Sequence, residues 1–145
     1  MILSKYVSGY KDMAWLLLRL VVGITFVMHG SQKLFGAFNG PGVQGFAGFL
    51  GSLGVPAPIL FSWIVSLVEF FGGLALILGI FTRLFALLIS VDMTVALLLV
   101  HVKNGFFAGA GGFELVLLLL ASALALATHG AGKWSVEDMM KKELV

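Results

Sequence analysis

From Ile59 to Ile80 the chain carries a single ionisable side chain, Glu69, in an otherwise apolar run. No other feature constrains the fold as strongly, because a hydrocarbon layer of about 30 Å takes roughly 20 residues of α-helix to cross. Comparable runs occupy residues 13–35, 84–102 and 113–128. Composition agrees: 60% of the 145 residues are hydrophobic and 11% are charged, whereas about a quarter are charged in a soluble domain. The expected fold is all-α, a single integral-membrane domain whose four transmembrane helices form an up-down-up-down bundle. Arg19 interrupts the first run and no small-residue cleavage site follows it, so that run is read as a retained helix and not a signal peptide.

Four crossings place both termini and the middle link on one side. That side gathers Lys5, Lys11, Arg83, Lys133, Lys141 and Lys142, against Lys33 and Lys103 on the other. Lys and Arg accumulate on the cytoplasmic side of short loops, so both termini are expected in the cytoplasm of a bacterial cell, with the bundle in the inner membrane. The link from Gly36 to Pro58 is long and rich in glycine. Within it Val43, Phe46, Ala47, Leu50 and Leu53 recur at helical spacing, after Asn39-Gly40-Pro41 and before Gly54, Pro56 and Pro58. A short amphipathic outer helix is expected there, read as an interface anchor in preference to a lid. Near the C-terminus, Ser135 with Glu137 and Asp138 reads as a capped helix start. Met139, Met140 and Leu144 beside Lys141 and Lys142 make the following tail amphipathic, resting on the cytoplasmic surface.

A charge at the centre of a spanning helix costs about 3 kcal/mol, so Glu69 is expected to find a cation or several donors. With the spans centred on one another, Arg19 is the nearest cation in depth. Gly23, Gly72 and Gly73 allow close backbone approach. An intramembrane ion pair between Arg19 and Glu69 follows. Arg19, Gly23, Phe26, Gly30 and Lys33 mark the inward face of span one, with His29 at its edge, and Glu114, Leu118, Ala121, Ala125 and Thr128 mark that of span four.

Sorted by depth, Arg19, Glu69 and the further buried acid Asp92 form a deep set, while His29, Gln32, Lys33, His101, Lys103 and Glu114 lie near the outer surface. The outer set suits a polar or anionic head group whose apolar tail lies between helices. His29, Gln32, Lys33, Glu114 and His101 are its ligand-binding or proton-relay candidates. Asp92 and His101 are nine residues apart, which places them on opposite faces of a regular helix and keeps them out of one cavity. One face of span three is then expected to meet a second copy, a partner, or lipid near the headgroups.

The chain has no cysteine, which excludes thiol exchange, thiolate metal sites, iron–sulfur clusters and covalently attached haem. No glycine-rich phosphate motif supports nucleotide binding. Haem held between His29 and His101 is disfavoured, and neither a metal site nor a nucleic-acid partner is expected. His129 needs no role beyond a helix end.

The stretches LLRLVVGITFVMHGSQKLFG, GFAGFLGSLGVPAP, VEFFGGLALILGIFTRLFAL and GGFELVLLLLASALALATHGAGKWSVED resemble the DoxX family of small four-helix bacterial membrane proteins. The resemblance falls on Arg19, His29, Gly30, Lys33, Gly54, Pro56, Glu69, Gly72, Gly73, Gly79, Arg83, Glu114, Gly130, Ser135 and Asp138. It implies a redox setting, since members are similar to the membrane subunit of thiosulfate:quinone oxidoreductase or are associated with redox enzymes and quinone stress. The leading expectation is a redox-associated component that binds a quinone-like or other amphiphilic molecule, with a membrane redox partner or a second copy of itself. The alternatives are a small proton-coupled transporter using Glu69 and Asp92, and a scaffold or assembly partner with no chemistry of its own.

Overall fold

The fold is given by a computed structural model that describes residues 10–143. Lys5, counted in the charge asymmetry, and Leu144, counted in the amphipathic tail, lie outside the described residues. Among the described residues six α-helices follow in order: α1 (Lys11–Phe35), α2 (Gly42–Ser52), α3 (Pro58–Leu78), α4 (Thr82–Ala96), α5 (Glu114–His129) and α6 (Val136–Glu143). α4 runs on through a π-helical turn, Leu97–His101, and a short 3-10 turn, Val102–Asn104. Among the described residues three helices are long and apolar enough to cross a membrane: α1, α3, and α4 taken to Asn104. α5 is apolar and shorter, with 16 residues, or about 24 Å.

The outside of the molecule is greasy, and several polar side chains are buried within a largely apolar core. Leu17, Val21, Ile24, Phe71, Leu98 and Leu118 are exposed, whereas Arg19, Ser62, Ser66, Glu69 and Ser90 are buried. That inversion suits hydrocarbon as the surrounding solvent, where every polar group has to be satisfied internally. Several helix hydroxyls comply by bonding back one turn: Thr25 to the Val21 carbonyl at 2.8 Å, Ser66 to Ser62 at 2.6 Å and Ser90 to Ala86 at 2.7 Å; the Thr82 hydroxyl is buried without a partner.

Glycine sets the depth at which α1 and α3 meet, which is the most extensive contact between elements. A Cβ on Gly73 would stand 2.6 Å from both the Gly23 carbonyl oxygen and the Val27 nitrogen, and one on Gly30 would stand 2.6 Å from Phe70 Cα. The two helices are therefore antiparallel, with Gly30 level with Phe70. α5 packs chiefly on α4, burying Val116, Ala123, Leu126 and Ala127. The expected inward line of this helix is thus corrected, since Leu118, Ala121 and Thr128 face outward.

The tail end of the bundle is closed by the C-terminal segment. The Arg19 guanidinium is 1% exposed and donates to the carbonyls of Ala131 and Trp134, the latter at 2.7 Å. Glu137 accepts the Thr82 N–H at 2.8 Å, which puts a carboxylate on the first turn of α4 where the helix dipole favours it. Ser135 Oγ accepts the Asp138 N–H at 3.1 Å, as expected of a cap.

Candidate functional site

The expected Arg19–Glu69 pair does not form. Glu69 is 3% exposed and takes its cation from Lys33, with Lys33 Nζ 2.5 Å from Glu69 Oε2. The physical reason is register. Gly30 sits level with Phe70, so Arg19 lies eleven residues, or about 16 Å, from the height of Glu69. Lys33 is one turn of α1 beyond Gly30 on the same face, and its four-carbon stem reaches the carboxylate. The ammonium also lies 5.2 Å from the centroid of Phe46, within reach of the ring's negative face.

Around this pair α1 to α5 enclose a cavity of about 410 Å³. Lys33, Glu69 and Asp92 supply its charge, His29 and His101 line it, and Phe46, Phe49, Val65, Leu99, Val116 and Leu119 are among its apolar walls. α2, expected as an interface anchor, in fact covers this cavity with Phe46, Phe49, Leu50 and Leu53. Val43 and Ala47 on α2 are buried, and Ser62 donates to the Val43 carbonyl at 2.8 Å, which fastens α2 to α3.

Asp92 and His101 line the same cavity, against the expectation of opposite faces. The π turn explains the change. A turn closed by i→i+5 bonds takes about one residue more than an α turn, so the phase falls back by about 100° and His101 swings toward the Asp92 side. Nothing in the residue types of Leu97-Leu98-Leu99-Val100 signals this turn. Asp92 shares the cavity lining with Glu69 and Lys33, and its Oδ2 is buried without a hydrogen-bond partner.

The other candidates stand apart. Glu114 accepts the Ala108 N–H at 2.7 Å and holds the α4–α5 loop. It is absent from the cavity wall, where Leu115 and Val116 stand instead. Gln32 packs beneath Gly40 in the link after α1. His29 is exposed at the cavity rim. The two expected storeys therefore regroup, with Lys33 joining Glu69 and Asp92 while Arg19 belongs to the tail end. No group of three or more His, Cys, Asp or Glu able to hold a metal occurs among the described residues.

A bundle with apolar outer faces and an amphiphile-sized, partly charged cavity defines a small helical membrane protein. The chain belongs to the DoxX family, whose sequence profile matches residues 14–102. That match includes Lys33, Glu69, Asp92 and His101. CatD of Bacillus subtilis (strain 168), provisionally named an oxidoreductase, is 31% identical over 115 residues, spanning 79% of each chain. An uncharacterised membrane protein of Mycobacterium tuberculosis (strain ATCC 25618 / H37Rv) is 30% identical over 135 residues, covering 86% of this chain and 80% of its own. Inner membrane protein YqjF of Escherichia coli (strain K12) is 29% identical over 135 residues, covering 92% and 96%. No solved structure matches the chain.

Proposed function

We propose that this chain is a redox-associated protein of the bacterial inner membrane, with four crossings and both termini in the cytoplasm, and that its cavity holds a quinone-like amphiphile. The observation that carries the reading is the cavity itself: about 410 Å³, walled by apolar side chains, with Lys33, Glu69 and Asp92 together on its lining. Ligand sites of this size with few polar groups are the usual form of a small-molecule pocket. The name of the Bacillus relative supports the redox setting. The charge asymmetry supports the orientation, with Lys11, Arg83, Lys133, Lys141 and Lys142 toward the tail end and Lys33 and Lys103 toward the other.

The residues fit such a ligand. Lys33 keeps N–H groups beyond the one given to Glu69 and can donate to a ring oxygen. The Asp92 carboxyl lies on the same lining, and the aromatic and aliphatic walls take the ring and the start of a tail. A bound quinone would supply two-electron carrier chemistry, with electrons delivered by a partner oxidoreductase. The chain's own residues orient the ring, exclude water beneath α2, and offer carboxylates at Glu69 and Asp92 on which a proton can rest.

The reading is tested with purified protein in lipid nanodiscs and a short-tailed benzoquinone. Saturable thermal stabilisation is expected, about 2.7 kcal/mol at a hundred times Kd, and Lys33→Met should abolish it while the protein stays folded. An unchanged melting temperature at all quinone concentrations would sink the proposal. Orientation is checked by thiol labelling of Gly109→Cys and Lys141→Cys, which in a cysteine-free chain give no background. Labelling of Lys141→Cys from the periplasmic side would reverse it.

A further inference from the structure

We infer that the tail end of the bundle carries a second binding site, apart from the cavity at Lys33, for the phosphate of an anionic ligand: the head group of a net-negative phospholipid or a soluble phosphate ester. This site is independent of the quinone reading.

A cavity of about 300 Å³ lies there among the start of α1, the start of α4, the end of α5 with the loop after it, and α6. That volume is at the small end of ligand pockets. Where the Lys33 cavity is walled mainly by apolar side chains, every residue lining this one is charged, a histidine, or one of Gly130, Ala131 and Gly132. The two glycines leave the guanidinium and the imidazole their room. A Cβ on Gly130, whose φ is +87°, would stand 3.0 Å from Arg83 Nε, and one on Gly132, whose φ is +68°, would stand 3.4 Å from His129 Nε2.

The carboxylates of the lining are already engaged by the chain itself. Asp12 is paired with Lys133 at 2.8 Å and Asp138 with Lys142 at 2.7 Å, while Glu137 accepts the Thr82 N–H. Two cations of the lining are not so engaged. Among the described residues Arg83 and Lys141 form no ion pair, and the one bond Arg83 gives, to the His129 carbonyl, is long at 3.3 Å. Beneath the lining lies Arg19, 1% exposed, bonded to the carbonyl of Ala131. A carbonyl offers it a dipole but no counter-charge. Arg19, Arg83, Lys133, Lys141 and Lys142 thus stand against the three carboxylates, an excess of positive charge that an anion in the cavity would offset.

Phosphate is the anion that fits. The guanidinium fork of Arg83 matches two phosphate oxygens at once, and Lys141 adds a further point charge. Depth favours the same chemistry. Trp15 stacks on His129 with ring centroids 4.0 Å apart, and Phe81 and Trp134 are exposed. Aromatic residues so placed belong at the headgroup level of a bilayer, where phosphate of anionic lipids is the abundant negative group.

The experiment uses the full chain in phosphatidylcholine nanodiscs, alone, doped with phosphatidylglycerol, or with glycerol 3-phosphate added to the undoped discs. Salt is kept at about 0.5 M, where diffuse surface attraction is largely screened. Phosphatidylglycerol is expected to raise the melting temperature, and native mass spectrometry to show one such lipid retained in preference to phosphatidylcholine. Arg83→Gln should weaken that retention about tenfold, and Arg83→Lys, which keeps the charge and loses the fork, about threefold. Lys11→Gln removes the same charge from the same end, outside the cavity, and should change it less than about twofold. Stabilisation by glycerol 3-phosphate that Arg83→Gln abolishes also supports the site and makes the ligand a soluble ester. Equal retention of the two lipids with no response to glycerol 3-phosphate overturns the inference, and this comparison needs no variant to fold. Equal losses in Arg83→Gln and Lys11→Gln overturn it too, by reducing the effect to surface charge.

Discussion

Arg19 at one end of the bundle and Glu69 with Asp92 toward the other are all ionisable groups taken out of water, and they are treated in opposite ways. Arg19 lies off the cavity at Lys33, its two terminal nitrogens engaged by the carbonyls of Ala131 and Trp134 and its Nε buried without a partner. The carboxylates of Glu69 and Asp92 line that cavity. Bonds from a cation to the chain's own carbonyls hold a structure together, whereas charge on the wall of a void is what a ligand can meet. The difference separates scaffold from site more clearly than burial does, since Arg19 and Glu69 are about equally hidden.

The comparison breaks most visibly at Arg19. Arg19→Ala strips the donors from two carbonyls and should cost on the order of 3–5 kcal/mol, releasing the C-terminal segment to protease while quinone binding by the surviving folded fraction is unchanged. Loss of ligand binding in that folded fraction would erase the distinction between the two ends. Gly73→Ala comes next. Its new Cβ meets backbone at 2.6 Å, and overpacking of this kind costs about 1–3 kcal/mol. Because the α1–α3 register also sets the height of Lys33 against Glu69, thermal stability and ligand affinity should fall together.

Smaller again, Glu137→Gln should lower stability by about 0.5–1 kcal/mol, as charge is lost from the first turn of α4, with ligand affinity untouched. The smallest effect is in pH. The hydrogen bond from Lys142 holds the Asp138 carboxyl below its ordinary value. A depressed folded pKa gives stability that is present above the unfolded value, near 3.9, and is lost as pH falls through the folded one. Docking of α6, followed by Trp134 fluorescence, should therefore hold through neutral pH and weaken only below about pH 4. Lys133 has the opposite sign, raised first by its hydrogen bond to Asp12, so its contribution fades only as pH climbs above about 10.4.

Much of this was legible in the residues. The inward face of α1 is the expected line Arg19, Gly23, Phe26, Gly30 and Lys33, since a 3.6-residue period survives wherever the helix is regular. α2 begins and ends at its glycine and proline signals. The demand of Glu69 for a cation was also plain, but not which cation. Depth cannot be read by centring apolar runs when glycine contacts slide one helix along another. The partners of Arg19 are backbone carbonyls, which leave no mark in a sequence. The π turn is likewise silent, four ordinary aliphatic residues before a histidine, and it decides whether Asp92 and His101 line one cavity.

That turn also makes the far wall of the cavity adjustable by chain length. Because it holds about one residue beyond a regular helix, deleting a single leucine from Leu97–Leu99 gives the α-helix back its normal winding and rotates everything downstream by about a quarter of a circle, carrying His101 off the wall. Asp92, upstream of the slip, keeps its place. A bundle so built can gain or lose the His101 side of its cavity wall by a three-nucleotide change.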